Sequence, residues 1–121
     1  MPNRAVVEAF AAMVERNEHV EAILQFYAED ASMQENGALP RVGREKLAEH
    51  ERQVLAAQKS VVSKRLSPIL IDGDQVAIRW RFEFTPLAGP PIAMEEVAWQ
   101  TWKDNKVWRE VFIYDPGQFK G

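Results

Sequence analysis

Up to Leu55 the apolar positions recur at helical spacing. Val6, Val7, Phe10, Ala11 and Val14 form one stripe over residues 4–16, with Asn3 placed to cap it. After the polar break Asn17, Glu18 and His19, a second stripe of Val20, Ile23, Leu24 and Tyr27 predicts a helix that ends near Asp30. Residues 31–35 read as a short strand before a turn at Asn36 and Gly37, and Pro40 to Gly43 leads into a third helix. That helix has the stripe Leu47, His50, Glu51, Val54 and Leu55. From Lys59 onward the period falls to two. Between Asp74 and Thr85, Val76, Ile78, Trp80, Phe82 and Phe84 alternate with Ala77, Arg79, Arg81, Glu83 and Thr85, so one face is core and the other charged. Lys59 to Ile71 is less regular, and Pro68 marks a bend or an edge. The pattern predicts an α+β domain: three N-terminal helices packed on one face of a mostly antiparallel sheet of four to five strands.

Met94 to Pro116 reads as a long hairpin that holds three of the four tryptophans and the acids Glu95, Glu96 and Glu110. Its turn decides which residues share a face. A three-residue loop Lys103, Asp104, Asn105, with Asn105 left-handed, pairs even positions with even; a two-residue Asp-Asn turn would mix them. The three-residue loop is preferred, because it gathers Met94, Glu96, Gln100, Trp102, Trp108, Glu110 and Phe112 on the side of Trp80 and Phe82. The other side then holds Val97, Trp99, Val107, Val111 and Ile113, an apolar patch that predicts a homodimer through the outer sheet face unless the tail, Gly117 to Gly121, covers it.

A chain of 121 residues makes one domain, spanning 1–121, with room for one core and one pocket. The net charge of −3, with no basic block, excludes a nucleic-acid or anionic-membrane surface and points to a small apolar molecule or a protein as partner. The absence of cysteine removes thiolate chemistry, and the two histidines, His19 and His50, have no ligand spacing, so neither a metal nor a cofactor is expected. No segment resembles a signal peptide or a membrane span, which predicts a soluble, cytoplasmic protein.

The order of elements, with VEAILQFYAEDASM at Val20 to Met33, VGREKLAEH at Val42 to His50, and the run from DNKV to FIYDP at Asp104 to Pro116, resembles the nuclear transport factor 2-like superfamily. That superfamily includes SnoaL-like polyketide cyclases, ketosteroid isomerases and limonene-epoxide hydrolases. The resemblance covers nearly the whole chain and implies a cystatin-like cone, helices and curved sheet enclosing an apolar pocket. It implies less about activity, because one fold hosts many functions. At the isomerases' general-base position stands Glu35, but Ala11 and Ala98 replace their oxyanion-hole tyrosine and aspartate, so an enolate lacks its usual stabiliser. The hydrolases' Arg-x-Asp pair has no counterpart at Arg79 and Arg81, and Phe112 stands where their second aspartate would be. The cyclases' His-x-Asp pattern is replaced by Glu110-Val111-Phe112.

The candidate site is therefore a set of acids in an aromatic pocket, where desolvation and mutual repulsion raise carboxyl pKa values. Glu110 is the expected acid/base, with Glu35 or His50 as partner and Gln100 orienting; Glu96, Gln100, Met94, Trp80, Phe82, Trp102, Trp108 and Phe112 are the expected ligand contacts. Tyr27 and Tyr114 are expected to cap the core with their hydroxyls toward water or backbone. Three functions stay open: a cofactor-free acid/base enzyme of isomerase, cyclase, dehydratase or hydrolase type, a non-catalytic ligand-binding or dimerisation module, and a structural part of a transport complex.

Overall fold

The structure, a computed structural model, describes residues 2–120, apart from the side chains of Phe119 and Lys120. Helix α1 (Arg4–Glu15) begins as its sequence dictates: the Asn3 side chain accepts a hydrogen bond from the Ala5 amide at 2.8 Å. Helix α2 (His19–Phe26) is shorter than its stripe suggests. Tyr27 leaves the helix with extended backbone (φ −94°, ψ 144°) and starts strand β1 (Tyr27–Glu35) with no intervening loop. Strand β2 (Arg41–Val42) and helix α3 (Arg44–Ala56) follow, joined by Gly43, whose φ of 110° favours glycine. The rest is sheet: β3 (Gln58–Arg65), β4 (Leu70–Asp72), β5 (Gln75–Pro86), β6 (Ile92–Lys103) and β7 (Lys106–Ile113), with a 3-10 turn at Pro116–Lys120.

The sheet has seven strands in the order β2-β1-β7-β6-β5-β3, with β4 paired to β5, which is more than the four or five expected. The two extra strands are β2 and β4, too short to show a period, and β1 is longer than the expected residues 31–35. All pairings are antiparallel except β1 with β7. The three helices pack on one face of the curved sheet, and Arg65 on β3 clamps α1 through Glu8 at 2.6 Å and Glu15 at 2.8 Å. Strand β5 alternates as its sequence predicts, with Val76, Ile78, Trp80 and Phe82 buried and Arg79 and Glu83 exposed.

The β6–β7 hairpin reaches the expected facing by a different route. Its loop is the two-residue Asp104-Asn105 turn, both residues left-handed (φ 54° and 58°), with Lys103 paired to Lys106. Such a turn would mix the parities, but the register shifts at Thr101/Trp102: Trp102 faces Val107 while Thr101 faces Arg109, so Trp108 is an extra residue, a β-bulge. Beyond it Gln100 pairs with Glu110 and Ala98 with Phe112, even with even. Two expectations fail at the bulge. Val107 is fully buried instead of outside, and Trp108 lies away from the core beneath Arg109 and Lys103, 4.1 and 5.3 Å from its ring centre.

On the outer face Val97 pairs with Ile113 and Trp99 with Val111, leaving Trp99 46% and Ile113 51% exposed. Gln118 hydrogen-bonds the Glu95 backbone on β6; the side chains of Phe119 and Lys120, and Gly121, which the sequence offered as a cover for this patch, lie outside the described residues.

Candidate functional site

Between the helices and the sheet lies a cavity of about 170 Å3. Its walls are mainly aromatic and aliphatic: Phe10 from α1, Ala22 and Ile23 from α2, Trp80, Phe82 and Phe84 from β5, Met94 from β6, and Phe112 from β7. Four glutamates reach it from four elements, Glu35 on β1, Glu51 on α3, Glu96 on β6 and Glu110 on β7, together with His19, His50, Tyr27, Tyr114 and Arg41. Glu35, the one exposed residue of these, marks its open end together with Arg41, His50 and Tyr114, which are half-buried. The end of β1 is tied there to the end of β7: the Asn36 amide donates to the Phe112 carbonyl at 2.8 Å, and the Asn36 side chain accepts from the Tyr114 amide at 3.0 Å.

Glu110 sits at the closed end, 2% exposed, and both of its carboxyl oxygens accept a hydrogen bond. The Tyr27 hydroxyl donates to one oxygen, and the Gln100 amide donates to the other at 2.6 Å. Gln100 is held in turn by the Trp102 indole N–H at 2.8 Å. Burial pushes the Glu110 carboxyl up to about 7, while the two donors pull the other way. The Tyr27 phenol is raised well above its usual value by burial and then by Glu110. Glu96 has different surroundings: no hydrogen-bond donor among the described residues reaches its carboxyl, and burial, then Glu110, Glu35 and Glu51, push it up to about 8.

A second polar network lines the helical wall. His19 places one ring nitrogen 3.3 Å from Glu51 and the other 2.8 Å from the Ser63 hydroxyl, which donates to the Asn17 side chain at 2.8 Å. The ring packs edge-on against Phe82. Among the described residues no group of three or more His, Asp or Glu side chains converges as a metal site.

The structure thus brings Glu110, Glu35, His50, Glu96, Trp80, Phe82, Met94 and Phe112 to one cavity, as read from the sequence. Three expected ligand contacts are corrected. Gln100 and Trp102 are buried behind Glu110 as its support and do not line the cavity, and Trp108 is displaced by the bulge. Tyr27 is also corrected: its hydroxyl goes to Glu110, not to water or backbone. Sequence reasoning missed His19, Glu51 and Arg41 as lining residues. For His19 a signal existed, since His19, Ala22, Ile23 and Phe26 all lie on the buried face of α2, extending its stripe one turn back.

Solved structures share this architecture. A putative SnoaL-like polyketide cyclase from Mesorhizobium loti is 23% identical, with 94% of this chain and 100% of that one covered and a TM-score of 0.79. TerC, co-crystallised with polyporic acid, is 20% identical over 99% and 96% of the two chains, with a TM-score of 0.79. A protein of ketosteroid isomerase-like fold from Catenulispora acidiphila, in complex with trimethylamine, is 17% identical over 93% and 87%, with a TM-score of 0.78. At such identities the likeness establishes the fold. No curated protein sequence matches the chain. The sequence itself matches the SnoaL-like domain over residues 6–110, and on that match, with the α+β cone described above, the chain belongs to the SnoaL-like family of the nuclear transport factor 2-like superfamily.

Proposed function

We propose that this protein is a small, cofactor-free acid/base enzyme that holds a compact, mostly apolar molecule in the cavity and moves a proton with Glu96 and Glu110. The supporting observation is the pair itself: two carboxyls in one aromatic cavity, raised to about 8 and about 7. Near neutral pH Glu96 then holds its proton while Glu110 is close to half ionised, which suits one to give and the other to accept. The pair titrates as a coupled unit. Glu96 has no donor among the described residues and is the group open to exchange with a ligand; Tyr27 and Gln100 fix Glu110 in place. Glu35 and His50, at the open end, are placed to pass protons to solvent.

A cavity of about 170 Å3 suits a ring-sized molecule, since an apolar cavity of roughly 150 Å3 accepts benzene. The reaction class this favours is proton transfer next to a carbonyl, as in isomerisation, cyclisation or dehydration. The test is deuterium incorporation into cyclohexanone and its ring-sized relatives in D2O, followed by NMR. Wild type should accelerate exchange over buffer, and Glu96→Gln and Glu110→Gln should lose most of that acceleration. Absence of acceleration across the series would sink the catalytic reading. The alternative, a non-catalytic ligand-binding module, is favoured by one feature: both Glu110 oxygens are already occupied, and Ala11 and Ala98 offer no further donor.

The half-exposed Trp99 and Ile113, with Val97 and Val111 beside them, support a homodimer through the outer sheet face. Sedimentation at micromolar concentration should show a dimer that Trp99→Glu converts to monomer; a wild-type monomer would reject it.

A further inference from the structure

Arg41 is the only lysine or arginine lining the cavity among the described residues. It stands on β2, the short edge strand, opposite Met33. Its Nε is shut off from solvent and has no hydrogen-bond partner, and no ion pair of the described residues includes it. Arg65 meets Glu8 and Glu15, and Arg79 and Arg81 meet Glu95; Arg44 shares a buried, unpartnered Nε, but it donates to the Tyr27 carbonyl and does not line the cavity. Even Glu35, at the same open end, is not within ion-pair distance of Arg41. Nε itself is too enclosed for a ligand to reach, but the terminal nitrogens of Arg41 also have no hydrogen bond or ion pair among the described residues, so an arriving oxyanion would meet open donors.

Building on the acid/base reading above, we propose that Arg41 anchors a carboxylate of the ligand, so that the molecule taken by the cavity is a small acid. Its ring-sized apolar body lies toward Glu96 and Glu110, and its anionic head meets the guanidinium at the open end. The fork of an arginine suits a planar carboxylate better than a point charge would. The four cavity glutamates do not exclude such a ligand. Burial raises the carboxyls of Glu96 and Glu110 and so favours their neutral forms, Glu51 is tied to His19, and Glu35 is exposed to solvent.

The test is calorimetric binding of phenylacetate against its neutral isostere phenylacetamide at pH 7, to wild type, Arg41→Gln and Arg41→Lys, with melting curves to confirm that the variants fold. Wild type should bind the acid roughly tenfold or more tightly than the amide, the worth of a charge-assisted hydrogen bond. Arg41→Gln should equalise the two, and Arg41→Lys should restore part of the preference, which a merely structural arginine would not give. Equal binding by wild type, or a preference kept in Arg41→Gln, overturns the proposal while leaving the acid/base reading intact. Binding of neither compound overturns the proposal as well, and the acid/base reading then stands or falls by the exchange test.

Discussion

Glu96 and Glu110 face the same cavity from neighbouring strands, yet one is fully partnered and the other is not. Glu110 accepts from Tyr27 and Gln100, with Trp102 behind Gln100, whereas Glu96 has no donor among the described residues and feels the charges of Glu110, Glu35 and Glu51. Burial raises both carboxyls, and at Glu110 alone two hydrogen-bond donors oppose the rise. The two donors tie Glu110 into the framework and fix its geometry, while Glu96, with no donor among the described residues, is free to adjust to a ligand.

Replacing each acid separates these roles most sharply. Glu110→Ala leaves the Tyr27 hydroxyl and the Gln100 amide buried without an acceptor and opens a void, so unfolding in denaturant at pH 7 should show a loss of about 3 kcal/mol or more. A loss below about 1 kcal/mol would mean that the partnered carboxyl is not structural.

The next effect is the pH dependence of stability. Both carboxyls have folded-state pKa values above the ordinary carboxylate range, so the native state holds protons that the unfolded chain releases. Their contribution is fully present below about pH 4.5 and is lost as pH rises through about 7 and then about 8. The free energy of unfolding should therefore fall between pH 5 and pH 9 by an amount of the order of a few kcal/mol. Glu96→Gln, neutral at every pH, should flatten the upper part of that slope, matching wild type within about 1 kcal/mol at pH 5 and exceeding it at pH 9. Parallel slopes for the two proteins would show that Glu96 ionises freely and that the contrast with Glu110 is false.

Much of the fold was legible because it is written in local periods. The alternation of β5 and the Asn3 cap of α1 each depend on residues close in sequence, and each is found in the structure as read. Tyr27 shows the limit: it continues the helical spacing of α2, yet pairing with Val107 on β7 draws it into β1. The hairpin shows another. Its facing was read correctly beyond Thr101, but from the wrong turn, because an inserted Trp108 restores the parity that the two-residue turn would have broken. A bulge is set by how two strands fit, and nothing in the composition of either strand announces it.

The candidate site divides along the same line. The sequence by itself determined that acids and aromatics would share the concave side of a sheet, because a period of two assigns each residue a face. It could not determine that Tyr27 would meet Glu110, 83 residues away, or that Arg41 would reach the same cavity from an edge strand of two residues. Only the tertiary structure decided which carboxyl is partnered and which is left open. Hydrogen bonds between distant segments depend on where the sheet's curvature and the bulge bring them together.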